Sequence, residues 1–410
     1  MAATLCLASI PMRPDESRLR EIIAALAPIE RPPGSEGERE AAEWIAARLH
    51  ELGADARVET ERAHPTFHWP IGLLSAVGAA AGVAALRWRR AVGAIGGLLA
   101  GAGIADDVQG GPHVLRRALR QSPIHNVVAE LGDPDAERTV VLMAHHDVAR
   151  CSPIFDQTLQ RKAWERWPER VQAIDRSVPI WLAVVGAPLL VGAGALLGRR
   201  GLTAFGSLFC AGTAAVMADM ARRPPSPGAN DNLSGVAALI TVMEAFVADP
   251  VPGVRLLAVS AGAEESLQEG IRGFARRHFA GLPRERTWFV NFESIGSPEL
   301  CLLEGEGPLW MEDYEPGFRE FAARQAAEHG IAVRRNQRSS YSTDSVVPAR
   351  AGFPIATLVS LNEWKNISNY HSLQDTPDRI DYGTVADAAE LGTHIVRALA
   401  ADRAAEPVAG

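Results

Sequence analysis

The apolar positions of the chain form two kinds of pattern. Short runs rich in Val, Leu and Ile alternate with longer stretches whose apolar residues recur at helical spacing. The runs predict strands at 56–61, 126–131, 139–144, 254–260, 288–292 and 355–361. The longer stretches predict helices at 36–53, 235–247, 318–329 and 385–401. Strands that alternate with helices predict an α/β fold, a three-layer α/β/α sandwich with a mixed, mainly parallel central sheet.

Two further segments are apolar on all sides. Residues 70–105 carry only Arg87, Arg89 and Arg90 as charges, and residues 178–217 carry only Arg199 and Arg200. Each predicts a helical hairpin with arginines at its tip. A spanning helix needs about 17–25 apolar residues, which 178–197 provides, whereas 91–105 could cross only a thinned bilayer or merely dip into the membrane. A hairpin buried in a large soluble core is the alternative, but the lack of an amphipathic stripe favours lipid.

These segments divide the chain. We predict a discontinuous catalytic domain at 12–69, 106–177 and 218–402, interrupted by the hairpins 70–105 and 178–217. A domain that closes on one side of a membrane requires each insertion to cross an even number of times, as a hairpin does. The chain is therefore predicted to be an integral membrane protein that contacts the lipid bilayer through both hairpins.

The side of the membrane is less strongly indicated. Arginine tips in the cytoplasm would place the domain outside. However, Arg and Lys also flank the helices on the domain side, and no cleavable signal peptide is evident, because the apolar segment 3–10 is short and no basic residue precedes it. We favour a cytoplasmic catalytic domain.

Composition narrows the function. The chain has 410 residues, of which 47% are hydrophobic, so a large core can form. Its net charge of −8, without a basic stripe, argues against a nucleic-acid partner. The four cysteines are far apart and form no CxxC pair, so any metal must be held by nitrogen and oxygen ligands.

Polar clusters follow the apolar runs. They are His145-His146-Asp147, Asn230-Asp231-Asn232, Glu264-Glu265, Asn291-Phe292-Glu293 and Tyr370-His371. Three of these clusters lie just past predicted strands, where α/β proteins bind ligands. Together they contain enough carboxylates and imidazoles for two metal ions.

Each cluster also has an ordinary structural interpretation. His145 could bind a metal while Asp147 hydrogen-bonds its ring, or both could simply open a polar loop. Asp231 could bridge two cations or cap the helix that follows. Glu264 and Glu265 repel each other unless a cation or proton intervenes, although surface loops also carry such pairs. Glu293 and His371 would complete the two ligand sets.

The full motifs resemble those of the zinc aminopeptidases of peptidase family M28. The matching segments are Ala144-His145-His146-Asp147, Gly228-Ala229-Asn230-Asp231-Asn232-Leu233-Ser234-Gly235, Ala263-Glu264-Glu265, Asn291-Phe292-Glu293-Ser294-Ile295-Gly296, Tyr370-His371-Ser372 and the N-terminal Arg31-Pro32-Pro33-Gly34-Ser35-Glu36. The resemblance covers about residues 15–400 apart from the hairpins. It implies a zinc aminopeptidase-like fold and a site for two Zn²⁺ ions.

Carried over by motif, the resemblance assigns the metal ligands. His145 and Glu293 would bind one zinc ion, and Glu265 and His371 the other. Asp231 would bridge the two ions.

The remaining roles also come from the resemblance. Asp147 would orient the imidazole of His145, and Glu264 would be the general base for the attacking water. Tyr370 resembles a tyrosine that supports the oxyanion in some members. Glu293 departs from the Asp of most M28 members, but some relatives in family M20 have Glu there, so we expect ligation to persist.

The predicted function is therefore that of a membrane-associated di-zinc metallopeptidase with a peptide substrate, and we favour an aminopeptidase. Two alternatives from other classes remain. One is a non-catalytic binding or scaffold protein, which the complete ligand set disfavours. The other is a different amide reaction on this fold, as in a carboxypeptidase or a glutaminyl cyclase. The sequence does not indicate the preferred N-terminal residue or the oligomeric state.

Overall fold

The computed structural model describes residues 13–401. The segment 3–10 and the outer ends of the predicted catalytic domain, residues 12 and 402, lie outside this range. The strands within it are β1 (Asp55–Ala63), β2 (Ser122–Gly132), β3 (Arg138–His145), β4 (Val254–Ala261), β5 (Thr287–Glu293), β6 (Glu299–Glu306), β7 (Glu312–Asp313), β8 (Arg334–Ser339) and β9 (Ile355–Leu361). The helices are α1 (Glu16–Leu26), α2 (Glu36–Glu51), α3 (His68–Arg87), α4 (Arg90–Val108), α5 (Val114–Ala118), α6 (Thr158–Arg166), α7 (Pro168–Gln172), α8 (Ile180–Leu197), α9 (Arg200–Met220), α10 (Ser234–Ala248), α11 (Glu269–His278), α12 (Pro316–Glu328), α13 (Val346–Arg350) and α14 (Tyr382–Ala401).

The strands of residues 13–401 form one mixed sheet. Its order is β1-β2-β4-β3-β5-β9-β6-β7, with β8 paired to β6. The four central strands, β4, β3, β5 and β9, are parallel, whereas β1 and β2 on one side and β6 and β7 on the other add antiparallel pairs. Every residue of β5 and β9 is buried, as expected for strands covered on both faces.

Helices cover both faces of this sheet. One apolar core joins the sheet to α1, α2, α10, α12 and α14. A second core, on the opposite face, contains Ile271 and Phe274 of α11 together with Val141 and Phe289 of the central strands. The predicted three-layer α/β/α fold is confirmed.

The remaining long helices form a separate bundle. Helices α3 and α4 turn at Trp88-Arg89, and α8 and α9 turn at Gly198-Arg199. The two hairpins pack on each other, α3 beside α9 and α4 beside α8. Small residues allow this close approach: a Cβ on Gly97 would lie 2.5 Å from the backbone nitrogen of Gly192.

Both hairpins leave and re-enter the sheet-containing domain at paired backbone segments. Ala63 at the end of β1 pairs with Ser122 at the start of β2. Arg150 pairs with Pro225 in an antiparallel bridge before and after the second insertion. Each insertion therefore begins and ends at one place on the domain.

Candidate metal centre

The first group of candidate ligands lies at the carboxyl edge of the parallel strands. His145 ends β3 and Glu293 ends its parallel neighbour β5. The Nε2 atom of His145 lies 3.4 Å from Oε1 of Glu293 and 3.3 Å from Oδ1 of Asp231. Asp231 comes from the irregular turn Ala229–Leu233 that leads into α10.

The second group uses the other oxygen of Asp231. The Nε2 atom of His371 lies 3.0 Å from Asp231 Oδ2 and 3.1 Å from Glu265 Oε1. Possible ligand atoms of each group lie within 4.8 Å of one another. The carboxylate of Asp231 therefore belongs to both groups, with one oxygen turned to each histidine.

These donors fit zinc. Among residues 13–401, no hydrogen-bond partner is present for the buried atoms Asp231 Oδ2, Glu265 Oε1, Glu293 Oε2 and His371 Nε2, although His371 Nε2 is close to two carboxylates. Buried polar atoms without partners are costly. Ligands bound at about 2.0–2.1 Å in a tetrahedron lie roughly 3.3 Å apart, which is close to the 3.0–3.4 Å spacing observed here. The arrangement therefore suits metal ligation better than direct ion pairing.

The electrostatics also favour a cation. Burial by itself lowers the pKa of His371, but the carboxylates of Glu265 and Asp231 outweigh this effect and raise its pKa to about 10. Burial also lowers the pKa of His145, but the carboxylates beside it, chiefly that of Glu293, outweigh burial and hold this pKa well above its usual range. A metal cation would be stabilised by the same carboxylates. Because imidazole binds metal in its neutral form, metal binding would release protons.

Asp147 supports the loop that carries the paired glutamates. Its fully buried carboxylate accepts hydrogen bonds of 3.0 Å from the backbone N–H groups of Glu264 and Glu265. The Nδ1 atom of His145 lies 3.2 Å from the backbone carbonyl of Asp147 and 3.4 Å from its carboxylate. Both the backbone carbonyl and the carboxylate of Asp147 therefore face the ring of His145, and the carboxylate also positions the neighbouring loop.

Glu264 lies within this loop beside the ligands. Its Oε1 accepts a 2.9 Å hydrogen bond from Gln268 Nε2, and burial raises the pKa of its carboxyl well above the ordinary value. Ala263, Leu267 and Gln268 all have left-handed φ angles, of 54°, 65° and 60°. Non-glycine residues adopt this conformation at a cost, and such residues concentrate at functional sites. The loop is thus held in a costly conformation that points Glu264 into the site.

Tyr370 covers the second histidine. Its ring stacks on that of His371 at 3.7 Å between centroids, and Phe155 packs edge-on against His371 at 4.5 Å. His146, between the predicted site residues, points elsewhere, with Nδ1 3.0 Å from Ser260 Oγ. The structure therefore brings together the eight residues singled out in the sequence.

Asparagines in the quoted motifs have a role that sequence analysis missed. Asn232 donates from Nδ2 to the carbonyl of Phe292 at 2.8 Å and accepts from the N–H of Ser294 at 2.9 Å. Asn230 accepts from the N–H of Gly296 at 2.6 Å. These bonds fix the turn that carries Asp231 to the end of β5, and the motif itself was the available signal.

Three further buried charges were also missed. Arg31 donates to the carbonyls of His146 and Gly228, joining the two ligand loops, and it lies in the quoted N-terminal motif. Asp375 accepts from the N–H groups of Asn230 and Asp231. Asp344 is fully buried near the site, and neither carboxylate oxygen has a hydrogen-bond partner among residues 13–401. Neither aspartate follows a predicted strand, so nothing in the sequence distinguished them.

Part of the chain matches a known peptidase family. The model of peptidase family M28 matches residues 214–396. Endoplasmic reticulum metallopeptidase 1 of Rattus norvegicus is 27% identical over 184 residues, which cover 43% of this chain and 19% of that protein. The chain thus matches only about a fifth of the length of this curated relative.

Solved structures share the fold at low identity. A Zn-dependent exopeptidase from Parabacteroides distasonis has a TM-score of 0.54 at 12% identity, with 93% of this chain and 98% of that chain covered. A glutaminyl cyclase from Bacteroides thetaiotaomicron has a TM-score of 0.57 at 12% identity, with 95% and 99% covered. The family match supports a metallopeptidase type of function, and these neighbours show the fold. The resemblance to peptidase family M28 seen in the motifs is confirmed over residues 214–396, where the family model matches.

Proposed function

We propose that the chain is a membrane-anchored di-zinc aminopeptidase that removes N-terminal residues from peptides. The observation that carries this proposal is the shared carboxylate of Asp231, whose two oxygens face His145 and His371 separately. A single-metal site would not require one carboxylate between two histidines. His145 and Glu293 would hold one zinc ion, Glu265 and His371 the other, and Asp231 would bridge them.

Zinc ions held there would polarise the scissile carbonyl and lower the pKa of a nearby water molecule. Glu264 would accept the proton of the attacking water and return it to the leaving amine. Gln268 and the loop fixed by Asp147 keep the Glu264 carboxylate in place. Tyr370 would support the oxyanion that develops on the carbonyl oxygen.

Glutaminyl cyclisation is the second candidate, because the cyclase from Bacteroides thetaiotaomicron has this fold. Fold similarity at 12% identity does not separate the two reactions. Both ligand groups are complete here, and this favours peptide hydrolysis by two metals.

Metal analysis combined with an activity panel tests the proposal. Detergent-purified protein should contain two zinc ions per chain and should cleave aminoacyl-nitroanilides, while peptides with N-terminal glutamine report cyclisation. His145→Ala should lose metal and activity together. One tightly held zinc ion, or cyclisation without hydrolysis, would overturn the two-zinc aminopeptidase.

Replacement of Glu264 tests the general base. Glu264→Gln should retain zinc but lose roughly 10²–10⁴-fold in kcat, because the amide cannot accept the proton. Glu285→Gln, at an exposed glutamate outside the site, is the matched control and should leave kcat unchanged. Near-normal turnover by Glu264→Gln would exclude it as the base.

The anchor is the four-helix bundle. Helices α3, α4, α8 and α9 contain 20, 19, 18 and 21 residues; at 1.5 Å per residue these are about 27–32 Å long, comparable with a hydrocarbon core of about 30 Å. Large apolar side chains cover the outside, with Leu99 66% and Leu208 75% exposed. We infer that all four helices cross the bilayer and that the discontinuous catalytic domain lies on the cytoplasmic side.

Cysteine labelling in intact vesicles tests this topology. Single cysteines at the exposed tip positions Arg89 and Arg199 should react from the side opposite to cysteines at Glu36 and Asp378 on the domain. Reaction of all four positions from one side would contradict spanning helices. Reaction of the domain positions only from outside the cell would reverse the proposed orientation.

A further inference from the structure

The domain-side end of the bundle meets the candidate metal centre at a cavity of about 110 Å³, called the bundle-side cavity below. Glu264, Glu265 and His371 line one side of this cavity. The second hairpin supplies much of the other side through Ile180, Trp181, Val184 and Met217, and Phe67, the residue before α3, adds to it. The second insertion therefore forms part of the wall around the reacting groups.

This wall is apolar and is built from the second hairpin together with Phe67, the residue before the first. Phe67, which precedes α3, packs edge-on against Trp181 of α8, with centroids 6.3 Å apart and an interplanar angle of 85°. Trp181 and Val184 are one helical turn apart, so their side chains share a face of α8. Leu267, directly after the glutamate loop, extends the apolar lining on the catalytic side.

A second cavity leaves the site in another direction. It also has a volume of about 110 Å³ and shares Glu264, Glu265, Tyr341, Ser342 and Tyr370 with the first. Its lining includes the polar or charged residues Gln337, Arg338 and Lys365. In the bundle-side cavity, by contrast, Ile180, Trp181 and Val184 form an apolar wall. A peptide bond placed at Glu264 would direct its two flanking residues towards these two cavities.

We propose that the bundle-side cavity is a substrate subsite that takes a bulky aliphatic side chain flanking the scissile bond. This rests on the proposed peptidase function and adds a substrate class to it. An apolar cavity of roughly 150 Å³ accommodates benzene, so 110 Å³ suits a side chain such as that of Leu or Met. The second hairpin thus selects substrate as well as anchoring the domain, and peptides rich in apolar residues are the favoured class.

Filling the cavity tests the proposal on the detergent-purified full chain. Val184→Trp should lower kcat/KM at least about tenfold for peptides with Leu or Met beside the scissile bond, as expected when an apolar pocket loses its fit. Peptides with Ala at both positions should change much less. Leu182→Trp, two residues away on the exposed side of α8, is the matched control and should leave both peptide classes unaffected. Two peptide series, X-Ala and Ala-X, identify which flanking residue is read.

Val184→Ala provides the complementary variant should Val184→Trp fail to fold. It enlarges the cavity and should shift preference from Leu towards Phe, with zinc content unchanged. Equal loss for large and small side chains, or no change for either, would overturn the subsite. A wild-type protein that cleaves no peptide defeats the proposed function itself, whereas an active wild type with unaltered selectivity in both variants defeats only the subsite.

Discussion

Helix α10 and the four bundle helices are similarly apolar but are covered differently. The segment Ala229–Ala248, which contains α10, has a mean hydropathy of 1.3, against 1.4–2.2 for α3, α4, α8 and α9. In the described structure 78% of that segment is buried, whereas only 33–44% of each bundle helix is. All five could cross a membrane by length and composition, but α10 is already enclosed by the sheet, α1 and α14. The uncovered apolar surface, rather than hydropathy, separates a core helix from a candidate membrane helix.

Large and small side chains are also distributed differently in α10 and in the bundle helices. In α10 large residues such as Leu239 and Ile240 face the core and are fully buried. In the bundle glycines such as Gly97 lie at helix–helix contacts, while Leu99 and Leu208 face outward. Small residues inside and large apolar residues outside are typical of helices that pack within lipid.

Of the changes that test this comparison, removal of the four-helix bundle should have the largest effect on the protein. Replacement of residues 70–105 and 178–217 by short Gly/Ser linkers removes the exposed apolar surface but none of the candidate ligands. The protein should move from the membrane fraction to the soluble fraction and still bind zinc, as fractionation and elemental analysis would show. A variant that stays with membranes would mean that another surface anchors the domain. A soluble variant without zinc would mean that the bundle holds the metal centre together.

The junction between the two regions depends on Arg116. This fully buried guanidinium donates to both carboxylate oxygens of Asp107 at 2.9 Å and to the carbonyl of Ser266, which directly follows Glu265, at 2.8 Å. Arg116→Ala leaves the buried carboxylate of Asp107 unpaired and should cost about 3–5 kcal/mol of unfolding free energy. Arg117→Ala, at the exposed neighbouring arginine, should cost little. Thermal unfolding in detergent compares them, and equal stability of the two variants would contradict this role.

Asp107 also shows where sequence reasoning stopped short. The predicted first hairpin ends at Ala105, whereas α4 continues through Asp106 and Asp107 to Val108. The helix can continue because Arg116 neutralises the buried Asp107. That pairing joins an insertion to the domain, and hydrophobic periodicity does not report such contacts.

Other elements also differ in whether the sequence predicts them. The central strands were predictable because they are short apolar runs, and parallel neighbours place His145 and Glu293 at one edge. Strand β8, with the sequence Arg-Arg-Asn-Gln-Arg-Ser, has no apolar run and was missed. Asp344 and Asp375 approach the site through loops, so only the tertiary structure reveals them. The packing of the two hairpins into one bundle is likewise a non-local feature.

Matched leucine truncations should separate core from exposed apolar surface. Leu239 of α10 is fully buried, so Leu239→Ala should cost about 2–5 kcal/mol through lost burial and the cavity left behind. Leu208 of α9 is 75% exposed, and Leu208→Ala should change stability by no more than about 0.5 kcal/mol in detergent. Chemical unfolding of the purified variants measures both. A large loss for Leu208→Ala would show that its side chain is covered by protein, for example by a second copy of the chain.

Substitution of two glycines tests the packing inside the bundle, and its expected effect on stability is the smallest of these predictions. A Cβ on Gly97 of α4 would lie 2.5 Å from the nitrogen of Gly192 and 2.7 Å from the carbonyl oxygen of Pro188, both backbone atoms of α8. Gly97→Ala should therefore push the hairpins apart and cost about 1–3 kcal/mol. A Cβ on Gly186 of α8 would meet no heavy atom of residues 13–401 within 4 Å, so Gly186→Ala should be neutral or stabilise by about 0.5–1 kcal/mol through reduced backbone entropy. Unfolding in detergent compares the two variants, and a Gly97→Ala protein as stable as Gly186→Ala would show that the hairpins do not meet at this contact.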